Sequence, residues 1–188
     1  MTDLKDWMTR SSVTVFDGAP WVRVSSETVE LPDGQVVEGF YRVKLGDFVC
    51  IYPETEDGSV LTINQYKHGP QRVSLTFPGG HIENDEEPVE TAARELLEET
   101  GYEASALEYL GGYTVNANQE CGVAHFVRAT GCRKVSEPDS GDLEEMEIVS
   151  VSPEELWTKA RSGDIVLLNQ LALLAIATHP ELSSDLTD

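Results

Sequence analysis

The sequence predicts an α/β fold in which a mixed β-sheet lies between two layers of helices, an α/β/α sandwich, with an additional β element at the N-terminus. Three observations lead to this prediction. Apolar and β-branched segments fill the first 77 positions, a strong helix pattern occupies positions 88–100, and further helix patterns follow residue 152. With 188 residues, the chain suits one domain, or one domain with a small extra element.

Six strands are predicted before the first helix. Each is a short run of apolar and β-branched residues, and turn sequences such as Pro32-Asp33-Gly34 and Glu56-Asp57-Gly58 separate several of them. We assign residues 1–45 to the N-terminal β element and residues 46–188 to the main domain. The six predicted strands cover residues 11–16, 22–31, 36–44, 48–52, 60–66 and 73–77.

The clearest helix is predicted over residues 88–100. Pro88 suits its first turn, and Gly101 suits the position that follows its last turn. An apolar stripe at helical spacing supports the assignment, and it consists of Val89, Ala92, Ala93, Leu96 and Leu97.

The rest of the chain predicts three strands and two helices. The strands cover residues 107–113, 122–128 and 147–151. Ser152 is the expected N-cap of the first late helix, and the apolar run 165–177 predicts the second one.

The composition excludes several classes of protein. The net charge is −21, with 34 acidic residues against 13 Lys and Arg, and such a surface repels nucleic acid and anionic lipid. No run of 18 apolar residues predicts a membrane span, and the first residues lack the pattern of a secretory signal, so a cytoplasmic protein is expected. Three cysteines without a CxxC spacing argue against a disulfide framework or a zinc site.

Three glutamates on the predicted helix are the strongest indication of chemistry. Glu95, Glu98 and Glu99 stand at i, i+3 and i+4, so they share one helix face and repel one another. A divalent cation removes that repulsion, and carboxylate oxygens favour magnesium, or alternatively manganese. Arg94 is placed to brace Glu98 across one turn. Alone, the cluster is equally compatible with a solvated acidic helix face, which is common in so acidic a chain.

The complete segment from Gly80 to Tyr102 resembles the Nudix box, G-x5-E-x7-R-E-U-x-E-E-x-G-U, in which U is a bulky aliphatic residue. Only Tyr102 departs from the pattern, because it replaces an aliphatic residue. The resemblance implies a Nudix-like sandwich and a magnesium-dependent hydrolase. The matching residues are Gly80, Glu86, Arg94, Glu95, Leu96, Glu98, Glu99 and Gly101.

The resemblance also implies roles within the box. Glu95, Glu98 and Glu99 would bind metal, and the carbonyl of Gly79 or Gly80 would supply a further ligand. Arg94 and Glu86 would support these glutamates. Glu98 and Arg94 are counted among the catalytic residues.

Segments outside the box are similar to the ADP-ribose and nucleoside diphosphate sugar pyrophosphatases. They are Val29 to Gly34, Gln65-Tyr66-Lys67-His68-Gly69 and Phe77-Pro78-Gly79-Gly80. The expected substrate is therefore ADP-ribose or a related nucleotide sugar. By this resemblance Lys67 and Glu120 bind substrate, and Trp21 stacks on the base, although an ordinary surface lysine and a packing tryptophan remain alternatives.

Two departures keep the exact substrate open. The group often has Arg where Lys67 stands, and it often carries a Pro within the stretch that reads 113–118 here, where this chain has none. A pyrophosphatase that acts on a nucleoside triphosphate or dinucleotide is one alternative. A sensor that binds a nucleotide sugar without cutting it is another, although all the box carboxylates are present.

The acidic loop 142–145 is expected to supply the catalytic base. A base must lie beside the metal without being consumed as a ligand, and this loop precedes a predicted strand that fixes its far end. Glu144 is the first choice and Glu145 the second, with Glu120 or a box glutamate as alternatives. The resemblance further implies a homodimer to which the N-terminal β element contributes.

Overall fold

The computed structural model describes residues 4–83, 86–141 and 145–182. Its backbone divides into two compact units. The first unit contains the described residues up to Gly46 together with Thr114–Val123, and the second contains Asp47–Tyr113 and the described residues from Ala124 onward. The strands are β1 (Met8–Gly18), β2 (Val22–Glu30), β3 (Val36–Lys44), β4 (Phe48–Thr55), β5 (Val60–Lys67), β6 (Arg72–Thr76), β7 (Tyr102–Glu103), β8 (Ala106–Asn116), β9 (Glu120–Lys134) and β10 (Met146–Val151). The helices are α1 (Pro88–Thr100), α2 (Pro153–Ser162) and α3 (Leu168–Thr178), followed by a short 3₁₀ turn, Pro180–Leu182.

The first unit is built on an antiparallel meander of β1, β2 and β3. In the β2–β3 pair, Arg23 lies opposite Lys44 and Ser25 lies opposite Arg42, so these four side chains share one face. The start of β9 joins the same unit, because Glu120 pairs with Val43 in parallel.

The second unit contains a mixed sheet. Strand β4 runs parallel to β9, whereas β5 pairs antiparallel with β6 and with β10. Strands β7 and β8 also pair with β9. The two-residue strand β7 was not predicted from the sequence, because it is too short to show any periodicity.

Alternate residues of β4 face two separate cores. Val49 and Ile51 pack with residues of α1 on one face, and Cys50 and Tyr52 pack with residues of α2 and α3 on the other. This alternation follows from the two-residue period of a strand that is buried on both faces. The second unit is therefore an α/β/α sandwich, and the predicted fold class is confirmed.

Helix α1 has the bounds that the sequence predicts. Glu87 and Glu90 form a reciprocal capping box at its start, and Gly101 ends it in the left-handed conformation with φ 74°. The predicted apolar stripe is only partly correct, since Ala93 is exposed whereas Glu99 is buried. A carboxylate thus replaces an apolar group on the inner side of the helix.

The two late helices differ in how well they were predicted. Ser152 caps α2 by accepting a hydrogen bond from the Glu155 backbone N–H, as expected. Helix α3 begins at Leu168 rather than at Ile165. Ile165 is nevertheless buried in the core, which explains why the apolar run starts before the helix does.

No helix within the described ranges is long and apolar enough to cross a membrane. The three cysteines are free thiols, and Cys50 and Cys132 are buried. Burial raises the pKa of the Cys50 thiol to about 12, so it is a poor nucleophile at neutral pH.

Candidate active site

The segment from Phe77 to Gly80 lies directly against β4. The Ile51 N–H donates to the Pro78 carbonyl and the Val49 N–H to the Gly80 carbonyl, both at 2.9 Å. A Cβ on Gly79 would lie 2.1 Å from the Val49 carbonyl oxygen, so only glycine permits this approach. Because the Gly80 carbonyl is already occupied, Gly79 is the better of the two predicted carbonyl ligands.

Helix α1 gathers the box carboxylates around one guanidinium. Arg94 donates to both oxygens of Glu86 at 3.1 and 2.9 Å, to Glu95 at 2.7 Å and to Glu98 at 3.2 Å. It also donates to the His81 carbonyl at 3.3 Å. These five contacts match the five N–H donors of an arginine, so Arg94 organises the carboxylates and has no donor left for a phosphate.

The ion pairs around Arg94 have a clear electrostatic consequence. The Arg94 hydrogen bond lowers the pKa of the Glu86 carboxyl to about 2, and the Thr91 hydroxyl adds to this effect. The same carboxylates raise the pKa of Arg94. Arg94 thus holds Glu86, Glu95 and Glu98 together in the structure.

Glu99 is held differently from its neighbours. Its side chain is 6% exposed, and it accepts a hydrogen bond of 2.7 Å from the Gly79 backbone N–H. It thereby ties the inner side of α1 to the glycine loop. A Cβ on Gly80 would lie 2.3 Å from a carboxylate oxygen of Glu95, so the loop passes close to that side chain as well.

The residues present fit a hard divalent cation. All the donors are oxygens. Three carboxylates contact a single guanidinium and Glu99 lies on the Gly79 N–H, so negative charge remains to be neutralised. In the parts of the chain that the structure describes, no three His, Cys, Asp or Glu side chains already converge as a metal cage. Glu95 and Glu98 turn to Arg94 instead, and Glu99 turns to the Gly79 N–H.

Gln170 of α3 is a site residue that the sequence did not reveal. It is 6% exposed, and its side-chain oxygen accepts a 2.6 Å hydrogen bond from the Phe77 backbone N–H. Its amide nitrogen lies 3.6 Å from the Cys50 sulfur. The sequence signal was a polar residue within a mostly apolar helix, which does not by itself identify a partner 93 residues away.

Lys67 lies at the end of β5, half-buried and directly opposite Arg72 of β6. Like charges that face each other across a strand pair repel. Neither side chain forms an ion pair with any residue in the described ranges. Arg72 therefore joins Lys67 as a candidate for holding an anion, and only the hairpin register reveals it.

The other two predicted substrate-binding residues, Trp21 and Glu120, lie in the first unit. Trp21 follows β1 and is 71% exposed, so packing in the core of its own unit is not its role. Glu120 is half-buried and forms a short ion pair with Arg42. Glu120 and Cys121 both adopt positive φ angles, 72° and 57°, which are strained for residues other than glycine.

Of the two residues proposed as the base, Glu144 lies outside the described residues and Glu145 lies within them. Asp142, Leu143 and Glu144 fall outside the described residues, so Glu144 stays a prediction. Glu145 is exposed and directly precedes β10.

His68 follows strand β5, and His125 lies within strand β9. His68 is exposed beside Tyr66, and His125 shares a 2.8 Å hydrogen bond with the Tyr109 hydroxyl. Burial lowers the pKa of His125, which the nearby Asp47 opposes. His125 is therefore neutral at physiological pH.

Two protein families match this chain. The NUDIX domain matches residues 44–171, and the nucleoside diphosphate sugar hydrolase N-terminal domain matches residues 7–43. Together they span both the box and the N-terminal strands.

Several characterised proteins are similar over most of their length. An ADP-ribose pyrophosphatase of Mycobacterium tuberculosis (strain ATCC 25618 / H37Rv) is 30% identical over 177 residues, which cover 93% of this chain and 84% of that protein. An ADP-ribose pyrophosphatase of Bacillus subtilis (strain 168) is 29% identical over 140 residues, 74% of this chain and 75% of that protein. A solved structure, the crystal structure of an ADP compounds hydrolase, aligns with a TM-score of 0.81 at 20% identity and covers 95% of both chains, which shows the shared fold.

Proposed function

Since this chain belongs to the Nudix family, we propose that it hydrolyses the pyrophosphate bond of ADP-ribose or a related nucleoside diphosphate sugar with the help of Mg²⁺. The products are a nucleoside monophosphate and a sugar phosphate. The chain is a Nudix pyrophosphatase, and the names of its relatives agree with this substrate class. The observation that carries the proposal is the complete set of box carboxylates gathered on Arg94 and the glycine loop.

The residues of the box have two proposed roles: some would bind the metal, and others position the metal ligands. Glu95, Glu98 and Glu99 would hold the metal, together with the Gly79 carbonyl, which accepts no hydrogen bond from the described residues. Arg94 holds Glu95 and Glu98 on one side of the site, and Glu86 keeps Arg94 in place with two hydrogen bonds. When bound, divalent magnesium or manganese neutralises the diphosphate oxygens and lowers the pKa of the attacking water.

The substrate needs cations that the box does not supply, because every donor of Arg94 is committed. Lys67 is proposed to contact the phosphates, and its neighbour Arg72 adds a second charge on the same hairpin. Glu120 and Trp21 are proposed to contact the nucleotide sugar, since the indole of Trp21 is exposed enough to stack on a base.

The proposed base remains Glu144, with Glu145 second. The box carboxylates are less suited as bases because Arg94 and the Gly79 N–H already occupy them and all three would be engaged as metal ligands. Glu145 is exposed and free to approach a bound water.

One experiment tests the activity and the base together. Product release from ADP-ribose in Mg²⁺ should vanish in excess EDTA and return with Mg²⁺ or Mn²⁺. The Glu98→Gln and Glu99→Gln variants should lower kcat by roughly 100-fold or more while the thermal midpoint is retained. Glu144→Gln should lower kcat strongly with little change in KM. Glu103→Gln, an exposed carboxylate on β7, is the matched control.

Three outcomes contradict parts of the proposal. Full turnover in excess EDTA would show that the reaction does not require a metal. Loss of fold in both box variants would favour a structural role for Glu98 and Glu99. If the Gln variants at 144 and 145 keep the parental kcat and Glu120→Gln loses it, the base is Glu120.

The active form is proposed to be a homodimer in which the N-terminal β element, residues 1–45, contributes to the interface. Strand β1 is exposed along ten of its eleven residues. It pairs with β2 and ends the order of strands, so one backbone edge carries no partner strand from the described chain. An exposed apolar edge is a site for pairing with another copy.

A further inference from the structure

A second group of ionisable side chains lies entirely within the first unit, on one face of the β2–β3 pair. It borders a pocket of about 250 Å³. The group, which we name the β2–β3 pocket, is lined by Arg23, Ser25, Glu27, Arg42, Lys44 and Glu120.

The cations of the β2–β3 pocket repel one another in the folded protein. Arg23 and Lys44 lie directly opposite each other in the strand register, which is a repulsive arrangement. Arg23 is paired with Asp17 at 3.1 Å and Arg42 with Glu120, but Lys44 forms no ion pair with a described residue. In a chain with only 13 basic residues, three of them on one face favour an anion as the ligand.

Glu27 gives the same pocket a buried acceptor. Its side chain is 8% exposed, and no donor or cation among the described residues contacts its carboxylate. Among the described residues, Arg128 Nε is the one fully buried side-chain polar atom without a hydrogen-bond partner, so the Glu27 carboxylate oxygens are open to the pocket. The Ser25 hydroxyl lines the pocket beside it and can donate as well as accept.

We propose that the β2–β3 pocket binds a phosphorylated sugar, with Lys44 and Arg23 contacting the phosphate and Glu27 and Ser25 contacting the sugar hydroxyls. A simple anion would leave Glu27 unpaired, and a neutral sugar would leave Lys44 unpaired. A ligand that carries both a phosphate and hydroxyl groups satisfies both side chains. Glu120, whose backbone has a strained positive φ angle, also lines this pocket, and strain of this kind is found most often at functional sites.

The inference rests on the proposed function for the source of the sugar phosphate, but its test does not require catalysis. The full-length protein is titrated in EDTA with ribose 5-phosphate, with ribose and with inorganic phosphate, and binding is followed by calorimetry and by the amide resonances of β2 and β3. Ribose 5-phosphate should bind at least fivefold more tightly than either fragment. Lys44→Met should weaken ribose 5-phosphate and phosphate at least fivefold.

Glu27→Gln separates binding from folding. It should weaken ribose 5-phosphate at least fivefold and leave phosphate unchanged or tighter, because a repelling charge has been removed. It should leave the thermal midpoint within about 2 °C of the parental value, because glutamine keeps the shape of the side chain and the carboxylate it replaces is open to the pocket. Lys5→Met, which removes the same charge from an exposed position outside the pocket, is the matched control and should change each affinity by less than twofold.

Three results would overturn the inference: equal effects of Lys44→Met and Lys5→Met, unchanged ribose 5-phosphate affinity in Glu27→Gln, or resonance shifts confined to other strands. If the protein hydrolyses nucleotide sugars but does not bind ribose 5-phosphate at the β2–β3 pocket, the pocket inference is wrong and the proposed function still holds. Inhibition kinetics with ribose 5-phosphate then identify the source of the ligand. Competitive inhibition by ribose 5-phosphate assigns the pocket to the substrate, and altered kcat without competition assigns it to a separate sugar phosphate.

Discussion

Two adjacent glycines, Gly79 and Gly80, are needed for different reasons. Gly79 has a φ of 155° and passes so close to β4 that a Cβ would meet the Val49 carbonyl oxygen at 2.1 Å. A Cβ on Gly80 would instead meet the end of the Glu95 side chain at 2.3 Å. Backbone cannot move aside cheaply, whereas a long side chain can change its rotamer.

This difference predicts two distinct phenotypes. Gly79→Ala should destabilise the protein by roughly 3 kcal/mol and abolish activity, because the loop must leave β4. Gly80→Ala should keep the thermal midpoint within about 2 °C, yet weaken Mn²⁺ binding roughly tenfold because Glu95 is displaced. Thermal melts and Mn²⁺ titrations by electron paramagnetic resonance check both. Similar losses of stability in the two variants would contradict this account.

At the scale of elements, the segment from Phe77 to Gly80, which is the glycine loop, is held by three neighbouring elements at once. Strand β4 binds its carbonyls, α1 binds the Gly79 N–H through Glu99, and α3 binds the Phe77 N–H through Gln170. Helix α3 lies on the opposite face of the sheet from α1, as the two cores show. The loop therefore couples the two helical layers of the sandwich.

Gln170 is predicted to act as a positioning residue. Gln170→Leu removes the acceptor of the Phe77 N–H, which costs about 1–3 kcal/mol for a buried donor. Amide hydrogen exchange at Phe77 should accelerate, and the Mg²⁺ concentration for half-maximal activity should rise. Ile176→Ala, a half-buried residue in the same helix, is the control for a general loss of α3 stability. If both variants shift the Mg²⁺ dependence equally, Gln170 is only a packing residue.

At the scale of the whole molecule, the net charge of −21 works against association, because two copies repel each other. Exposed apolar side chains of strand β1 favour association. They are Val13, Val15 and Phe16, which are 63%, 54% and 56% exposed. Salt screens the repulsion without weakening apolar contacts. The balance between these two forces sets the oligomeric state.

The proposed homodimer is therefore expected to be measurable at micromolar concentration and to strengthen as salt is added. Light scattering should give twice the chain mass, and Val13→Lys with Val15→Lys should shift the mass to that of a monomer. Val135→Lys, which changes an exposed valine in the second unit, should not. A monomeric mass for the parental protein at high salt would contradict the proposal.

The sequence determined the local features of this protein. The bounds of α1, its Gly101 terminus, the Ser152 cap and strand β3 all follow from residue types a few positions apart. The spacing of Glu95, Glu98 and Glu99 predicts that they share one helix face for the same reason, because positions i, i+3 and i+4 are neighbours on any α-helix.

Only the tertiary structure decided which distant residues meet. Three examples depend on strand register and on packing between elements. They are the bond from the Phe77 N–H to Gln170, the pairing of Lys67 with Arg72, and the lining of one pocket by both Glu27 and Lys44. The sequence placed Glu99 on a polar helix face, and the structure buried it because the Gly79 N–H offers it a hydrogen bond. Periodicity reports which side of an element is apolar, but a polar group can be buried wherever a partner from another part of the chain satisfies it.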